Sequence, residues 1–234
     1  MARSTASKRT ADRAPRPAPV PTWVSNPARK VLVTDPDGAA AEAIRALRTR
    51  IQSQHLQMGR RALAICGPTP EVGCTFVAVN LAIALAQIGV KTLLIDGDLR
   101  NPSVHTYFDP PLTGGGLYEC LRSSADSVAE FTDENVMPNL DVLGAGNPDS
   151  MGHELLSSDK FPDIINTCVR DYDMTIIDTP PANSCADGLR ISTVTGFALI
   201  VTRKNHTLVS DVRILADQLK KERAPAIGTV LNIV

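Results

Sequence analysis

The 234-residue chain is long enough for one α/β domain, and its 43% hydrophobic content supports a full core and excludes global disorder. A formal net charge of −1 removes any general electrostatic case for nucleic-acid binding. The five cysteines (Cys66, Cys74, Cys120, Cys168 and Cys185) form no C-x-x-C pair, which argues against a zinc site or disulfide framework and suits a reducing cytosol.

Residues 1–27 carry Pro15, Pro17, Pro19, Pro21 and Pro27, and residues 1–23 set five basic side chains against Asp12. This segment reads as a flexible tail. It is either a solvated leader or an electrostatic attachment to anionic lipid, at roughly 1 kcal/mol per basic residue. No apolar run follows its basic start, so no signal peptide is expected. Residues 28–234 are expected to form a single domain. The first predicted helix is 39–54, with Ile44, Leu47 and Ile51 at helical spacing. A buried strand is predicted at 62–66. A helix follows at 75–88 with Gly89 as its C-cap, and then a strand at 92–96. The longest apolar stretch, 76–90, contains Asn80 and Gln87 and is too short to span a bilayer.

Residues 101–139 are less regular and read as a short helical excursion over a cleft. Beyond them, strands are predicted at 140–144, 174–178, 197–202 and 227–233, with helices at 160–170, 185–194 and 207–221. Strands alternating with helices argue a doubly wound, mostly parallel sheet flanked by helices, with the active cleft at the carboxyl ends of the strands.

Between the first apolar strand and the 75–88 helix lies Gly67-Pro68-Thr69-Pro70-Glu71-Val72-Gly73-Cys74-Thr75. A phosphate-binding loop belongs there, in the pattern G-x-x-x-x-G-K-[ST]. Gly73 and the Thr75 hydroxyl are present, the lysine is replaced by Cys74, and Gly67 comes one residue early. Asp96 and Asp98 follow one apolar strand and Asp178 follows another. A single strand-end acid is most simply a turn or helix cap. Three beside a glycine loop favour a magnesium–nucleotide site, because magnesium takes oxygen ligands and keeps several waters.

These residues resemble the cytoplasmic domain of bacterial tyrosine kinases (BY-kinases), within the MinD/ParA class of P-loop ATPases. The resemblance covers about residues 40–234. Pro70-Glu71-Val72-Gly73-Cys74-Thr75 is similar to the family's P-G-E-G-K-S core, and Asn80-Leu81-Ala82 to its N-L-A continuation. Asp96-Gly97-Asp98-Leu99-Arg100-Asn101-Pro102 resembles the D-x-D-x-R-x-P form of the second Walker motif. Ile176-Ile177-Asp178-Thr179-Pro180-Pro181 resembles Walker B, and Glu42, Arg45 and Arg48 match the E-x-x-R-x-x-R oligomerisation motif.

The resemblance implies ATP or ADP with Mg2+ as cofactors. The nucleotide would be held by Pro70, Glu71, Val72, Gly73, Cys74, Thr75 and Phe76, with Arg100 and Asn232 nearby. It implies Thr75 on magnesium, Asp98 and Asp178 ordering its water shell, and Asp96 accepting a tyrosine proton; the sequence alone leaves the division among the three acids open. Asn232 is either a residue beside the adenine or a strand-end turn residue. Glu42, Arg45 and Arg48 share one helical face, as a solvated stripe worth roughly 0.2–0.5 kcal/mol per pair or as a subunit contact, which the motif favours.

Loss of a desolvated charge contact costs roughly 3–5 kcal/mol, on the order of a hundred- to several thousand-fold in affinity. It also removes charge neutralisation from phosphoryl transfer. The other lysine used in the MinD/ParA branch would fall at Thr69 and is absent too. Arg100 and Lys204 are the candidate substitutes. Cys74 itself is either an acidified, reactive thiol at a helix N-terminus or a small neutral replacement. The terminal tyrosine cluster usual in the family is missing: the tyrosines are Tyr107, Tyr118 and Tyr172, the last read as core, so autophosphorylation of such a tail is not expected.

The leading expectation is a cytoplasmic BY-kinase-like protein of exopolysaccharide or capsule biosynthesis. It would form homo-oligomers, bind a membrane polysaccharide co-polymerase (a chain-length determinant protein), and retain nucleotide with weak or lost kinase activity. Membrane contact would come through that partner or the basic tail, and no nucleic acid is expected. The alternatives are a working ATP-dependent tyrosine kinase with a substitute cation and a MinD/ParA-type positioning ATPase. The D-x-D-x-R-x-P and E-x-x-R-x-x-R motifs argue against the last.

Overall fold

Runs that are apolar from end to end become strands buried on both faces. They are β1 (Ala62–Cys66), β2 (Thr92–Asp96), β5 (Met174–Asp178) and β6 (Ala198–Arg203), all buried except Arg203. With β3 (Asp133–Met137), β4 (Leu140–Leu143) and β7 (Ala226–Asn232) they form one sheet in the order β3-β4-β2-β5-β1-β6-β7. Every pairing is parallel except β3 with β4. The computed structural model describes residues 30–124 and 127–233, so the tail expected at 1–27 lies outside the described residues.

The period-2 alternation of the strands divides the core into two layers. Leu63 and Ile65 of β1 face α1 (Val31–Thr34), α2 (Ala39–Gln54) and α3 (Cys74–Ala86). Ala64 and Cys66 face α4 (Leu117–Arg122), α5 (Lys160–Asp171), α6 (Asp187–Thr195) and α7 (Val209–Lys221). Residues 77–86 of α3 are buried all round, because α2 covers the side turned from the sheet. The one polar side chain in that run, Asn80, donates from Nδ2 to Phe76 O at 2.8 Å. Burial of each large aliphatic side chain there contributes about 1.5–3 kcal/mol. This fixes the helix whose first turn forms part of the candidate site.

The predicted elements recur with ends shifted by one or two residues, and the turn after α3 closes at Gly89 with φ +84°. The stretch 101–139, expected as a helical excursion, does contain α4 and single 3₁₀ turns at 104–107 and 128–131. It also holds β3, a correction to that expectation. Asp133, Glu134 and Asn135 gave this strand no apolar alternation, because it is an edge strand with half-exposed sides. The helix α1 was likewise not anticipated. Among the described residues no helix is long and apolar enough to cross a membrane.

Candidate nucleotide site

β1 delivers the chain to Gly67, and the loop 67–73 folds back before α3 begins at Cys74. The fold-back is tight. A Cβ at Gly67 would collide with Val72 Cγ2 and lie 2.8 Å from Cys74 Sγ. Gly73 takes φ +95°, and a Cβ there would meet Asn232 Nδ2. Val72 is buried under the loop. The carbonyls of Gly67 and Pro68 accept bonds from the amides of Ala182 (2.9 Å) and Asn183 (3.2 Å). Those of Pro70, Glu71 and Val72 accept bonds from His206 Nε2 (3.1 Å), Arg203 Nη1 (3.2 Å) and Asn232 Nδ2 (3.2 Å). With these carbonyls satisfied from outside, the first amides of α3, which have no helical acceptor, are available to an anion.

The three acids meet at the carboxyl edge of β2 and β5. Asp96 and Asp178 are register partners. Asp96 accepts from the amides of Asp98 (3.2 Å), Ser103 (3.1 Å) and Val104 (3.0 Å), and so organises the loop after β2. Asp98 Oδ1 accepts from the amides of Arg100 and Asn101 at 3.1 and 2.9 Å. Asp178 Oδ2 accepts from Thr75 Oγ1 at 2.6 Å, while its Oδ1 is buried without a hydrogen-bond partner. Ser103, which carries no motif signature, adds a 2.8 Å hydroxyl contact to Thr75.

The electrostatics follow from crowding. Burial, then the charge of Asp96, raises Asp178 well above the usual carboxylate range. Burial raises Asp96, with three amide bonds opposing it and Asp98 adding to the rise. Burial also raises Asp98. The surroundings of Cys74 disfavour its thiolate. Burial and the charges of Asp178, Cys66 and Asp98 push it well above its ordinary value, which favours the small neutral replacement over the acidified thiol.

Of the two candidate substitute cations, Arg100 is engaged elsewhere. Arg100 donates from Nε to Asp187 Oδ2 at 2.6 Å, across to the first residue of α6. Lys204 is exposed, and its main-chain amide donates to Asn232 O at 2.8 Å. The cation touching the loop is Arg203, which sequence reasoning missed. Phe76 packs its ring against the α2–α3 side of the core.

Among the described residues no cluster of three or more His, Cys, Asp or Glu is arranged to hold a metal ion alone. The donor set fits an ion that arrives with phosphates: a threonine hydroxyl, an orphaned carboxylate oxygen and three acids whose charged forms are disfavoured first of all by burial. Elsewhere, Glu42 and Arg45 pair along α2 at 3.4 Å, and Arg48 Nε is buried without a hydrogen-bond partner. Tyr107 and Tyr118 are buried. Tyr118 and Tyr172 each donate to a carboxylate at 2.8 Å, Asp149 and Asp141 respectively.

A family model described as an AAA domain matches residues 61–216. The tyrosine-protein kinase ptk of Acinetobacter johnsonii is 34% identical over 204 residues, covering 86% of this chain and 27% of the relative. The chain thus spans about a quarter of the length of such relatives. It covers 86% of the putative tyrosine-protein kinase CapB of Staphylococcus aureus, at 32% identity over 84% of its own length. The kinase domain of Escherichia coli tyrosine kinase ETK superposes with a TM-score of 0.81 at 29% identity, over 87% of this chain and 79% of that one. A likeness at 24% identity to MinD of Pyrococcus horikoshii, complexed with Mg-ADP, has a TM-score of 0.62 over 73% of this chain and 69% of that one, and is one of fold alone.

Proposed function

The chain belongs to the bacterial tyrosine kinase family of P-loop ATPases, and from that premise we infer that it is a nucleotide-binding, weakly transferring or non-transferring member acting in capsule or exopolysaccharide assembly. The single observation that carries this reading is the buried, unpartnered Oδ1 of Asp178 beside two further acids and an outward-latched phosphate loop. That arrangement is costly without a cation and is relieved by magnesium and a nucleotide phosphate. When bound, magnesium would supply charge neutralisation at the phosphates.

The residues divide the work by their geometry. The amides at the start of α3 receive phosphate oxygens. Thr75, Asp98 and Asp178 would hold the hydrated ion. Asp96 has both oxygens occupied by main-chain amides, so its role is to shape the loop carrying Asp98 and Ser103. Proton removal from an incoming tyrosine then needs that network to open. With Cys74 in place of the lysine, phosphate binding survives on dipoles and transfer loses its main cation. Relatives named CapB and EpsB support a capsule or exopolysaccharide setting for this chain. Its partner there would be a membrane co-polymerase that brings it to the inner face of the membrane.

Calorimetry with Mg-ADP, alongside transfer of labelled phosphate from ATP to a glutamate–tyrosine copolymer, tests the reading. Binding with little or no transfer is expected. No heat at millimolar Mg-ADP removes the nucleotide site; rapid transfer abolished by Asp96→Asn replaces this reading with a working kinase.

A further inference from the structure

Three consecutive carbonyls of the phosphate loop, at Pro70, Glu71 and Val72, each accept a bond from a side chain of the β6–β7 corner. The donors are His206, Arg203 and Asn232. Arg203 and Asn232 face one another in the register of β6 and β7. The turn between β6 and α7 is itself well tied: Arg203 N donates to Thr207 Oγ1 at 2.9 Å, and the amides of His206 and Thr207 return to Arg203 O at 3.2 and 3.0 Å. Arg203 and His206 are therefore held on one rigid support.

The loop they grip is the strained part of the site. Glu71 stands at φ +60° without being glycine, a conformation that costs about 1–2 kcal/mol. Such a residue persists only where its surroundings over-determine it. The bond from Arg203 lands on the carbonyl of that same residue.

We propose that Arg203, His206 and Asn232 form a latch that holds the phosphate loop in its nucleotide-receiving shape before any nucleotide is bound and without the usual lysine. Arg203 and His206 are positioning residues: they act on the carbonyl side of the loop, so that its amide side is already turned to the phosphates. In a loop whose own lysine is replaced by Cys74, this pre-organisation takes over part of what a bound cation would do. The link to nucleotide affinity rests on the reading above, whereas the latch can be tested without ligand.

Cys74 is a built-in reporter. Its Sγ lies against Gly67 and the residue is half-buried, so a maleimide reaches it faster when the loop is loosened. In ligand-free protein, with labelling followed at Cys74 by peptide mass spectrometry, Arg203→Ala is expected to speed modification about tenfold. His206→Ala should act in the same direction by about threefold, and Arg203→Lys should return the rate to near that of the unaltered chain. Cys66, Cys120 and Cys168, all in the core, should stay unlabelled. Unchanged Cys74 labelling in Arg203→Ala and His206→Ala overturns the latch, as does labelling that spreads equally to the core cysteines. Arg203→Lys labelling as fast as Arg203→Ala overturns the hydrogen-bonding basis. Calorimetry on the same variants should show Mg-ADP affinity lowered about tenfold in Arg203→Ala. If the unaltered chain binds no Mg-ADP, the labelling result stands and only the nucleotide reading fails.

Discussion

Thr75 Oγ1 donates to Asp178 Oδ2 at 2.6 Å, so the hydroxyl that the resemblance assigns to magnesium is engaged by the neighbouring acid. Asp178, Asp96 and Asp98 are all raised by burial, with neighbouring carboxylates adding to the rise of each. The folded chain therefore keeps protons that the unfolded chain releases above about pH 4. Stability contributed by these groups is lost as pH rises through their raised values. Asp178→Asn removes an acid raised well above its ordinary range while keeping an acceptor for Thr75. In thermal melts without magnesium or nucleotide, it should melt higher than the unaltered chain at pH 8. The gap should close toward pH 5. A gap that is constant or widens on acidification would refute this account of the acids.

The same field decides what a restored lysine does. Cys74 feels the charges of Asp178 and Asp98, which disfavour a thiolate and favour an ammonium. Cys74→Lys should therefore raise Mg-ADP affinity tenfold or more in calorimetry, from the cost of a missing desolvated charge contact. The native thiol, held protonated, should react slowly with alkylating agents at neutral pH. Equal affinity in both proteins would show that the loop's phosphate contacts no longer reach this position.

Much of this site was legible because its parts sit at the ends of apolar runs. Ile95 and Ile177 are buried strand residues directly followed by Asp96 and Asp178, and a parallel sheet brings such ends together. Gly73 and Thr75 were visible by spacing. Arg203 and His206 were not, because they bind main-chain carbonyls more than 130 positions away and carbonyls leave no residue-type signature. Ser103 was hidden for a related reason: its amide is placed by Asp96, and only then does its hydroxyl reach Thr75. In the fold, β3 escaped notice because its pairing with β4 is carried by main-chain bonds and the turn at Asn139, which has φ +65°, and not by an apolar face.

Glu71 offers a test of stored strain. It occupies a left-handed conformation where the family pattern has glycine. Glu71→Gly removes a steric cost of about 1–2 kcal/mol and adds an unfolded-state entropy cost of about 0.4–1 kcal/mol. The net expectation is a gain of about 0.5–1 kcal/mol, roughly 1–4 °C in a thermal melt. A loss of stability would mean that the Glu71 side chain makes a contact worth more than the strain.

Arg48 bears on assembly. Its Nε is buried without a hydrogen-bond partner, whereas Arg45 pairs with Glu42 at 3.4 Å on the exposed side of the helix. The Glu42–Arg45 pair contributes about 0.2–0.5 kcal/mol to an isolated chain, too little to require both arginines. The exposed Glu42–Arg45 pair, with Arg48 on the same helical face, is therefore the proposed contact to a second copy of the chain. The Arg45→Ala, Arg48→Ala double variant should lose higher-order assembly in multi-angle light scattering, while its melting temperature, measured at a concentration where the unaltered chain is monomeric, is unchanged or higher. The same mass for both proteins across a concentration series would remove the subunit contact and leave these residues as a solvated stripe.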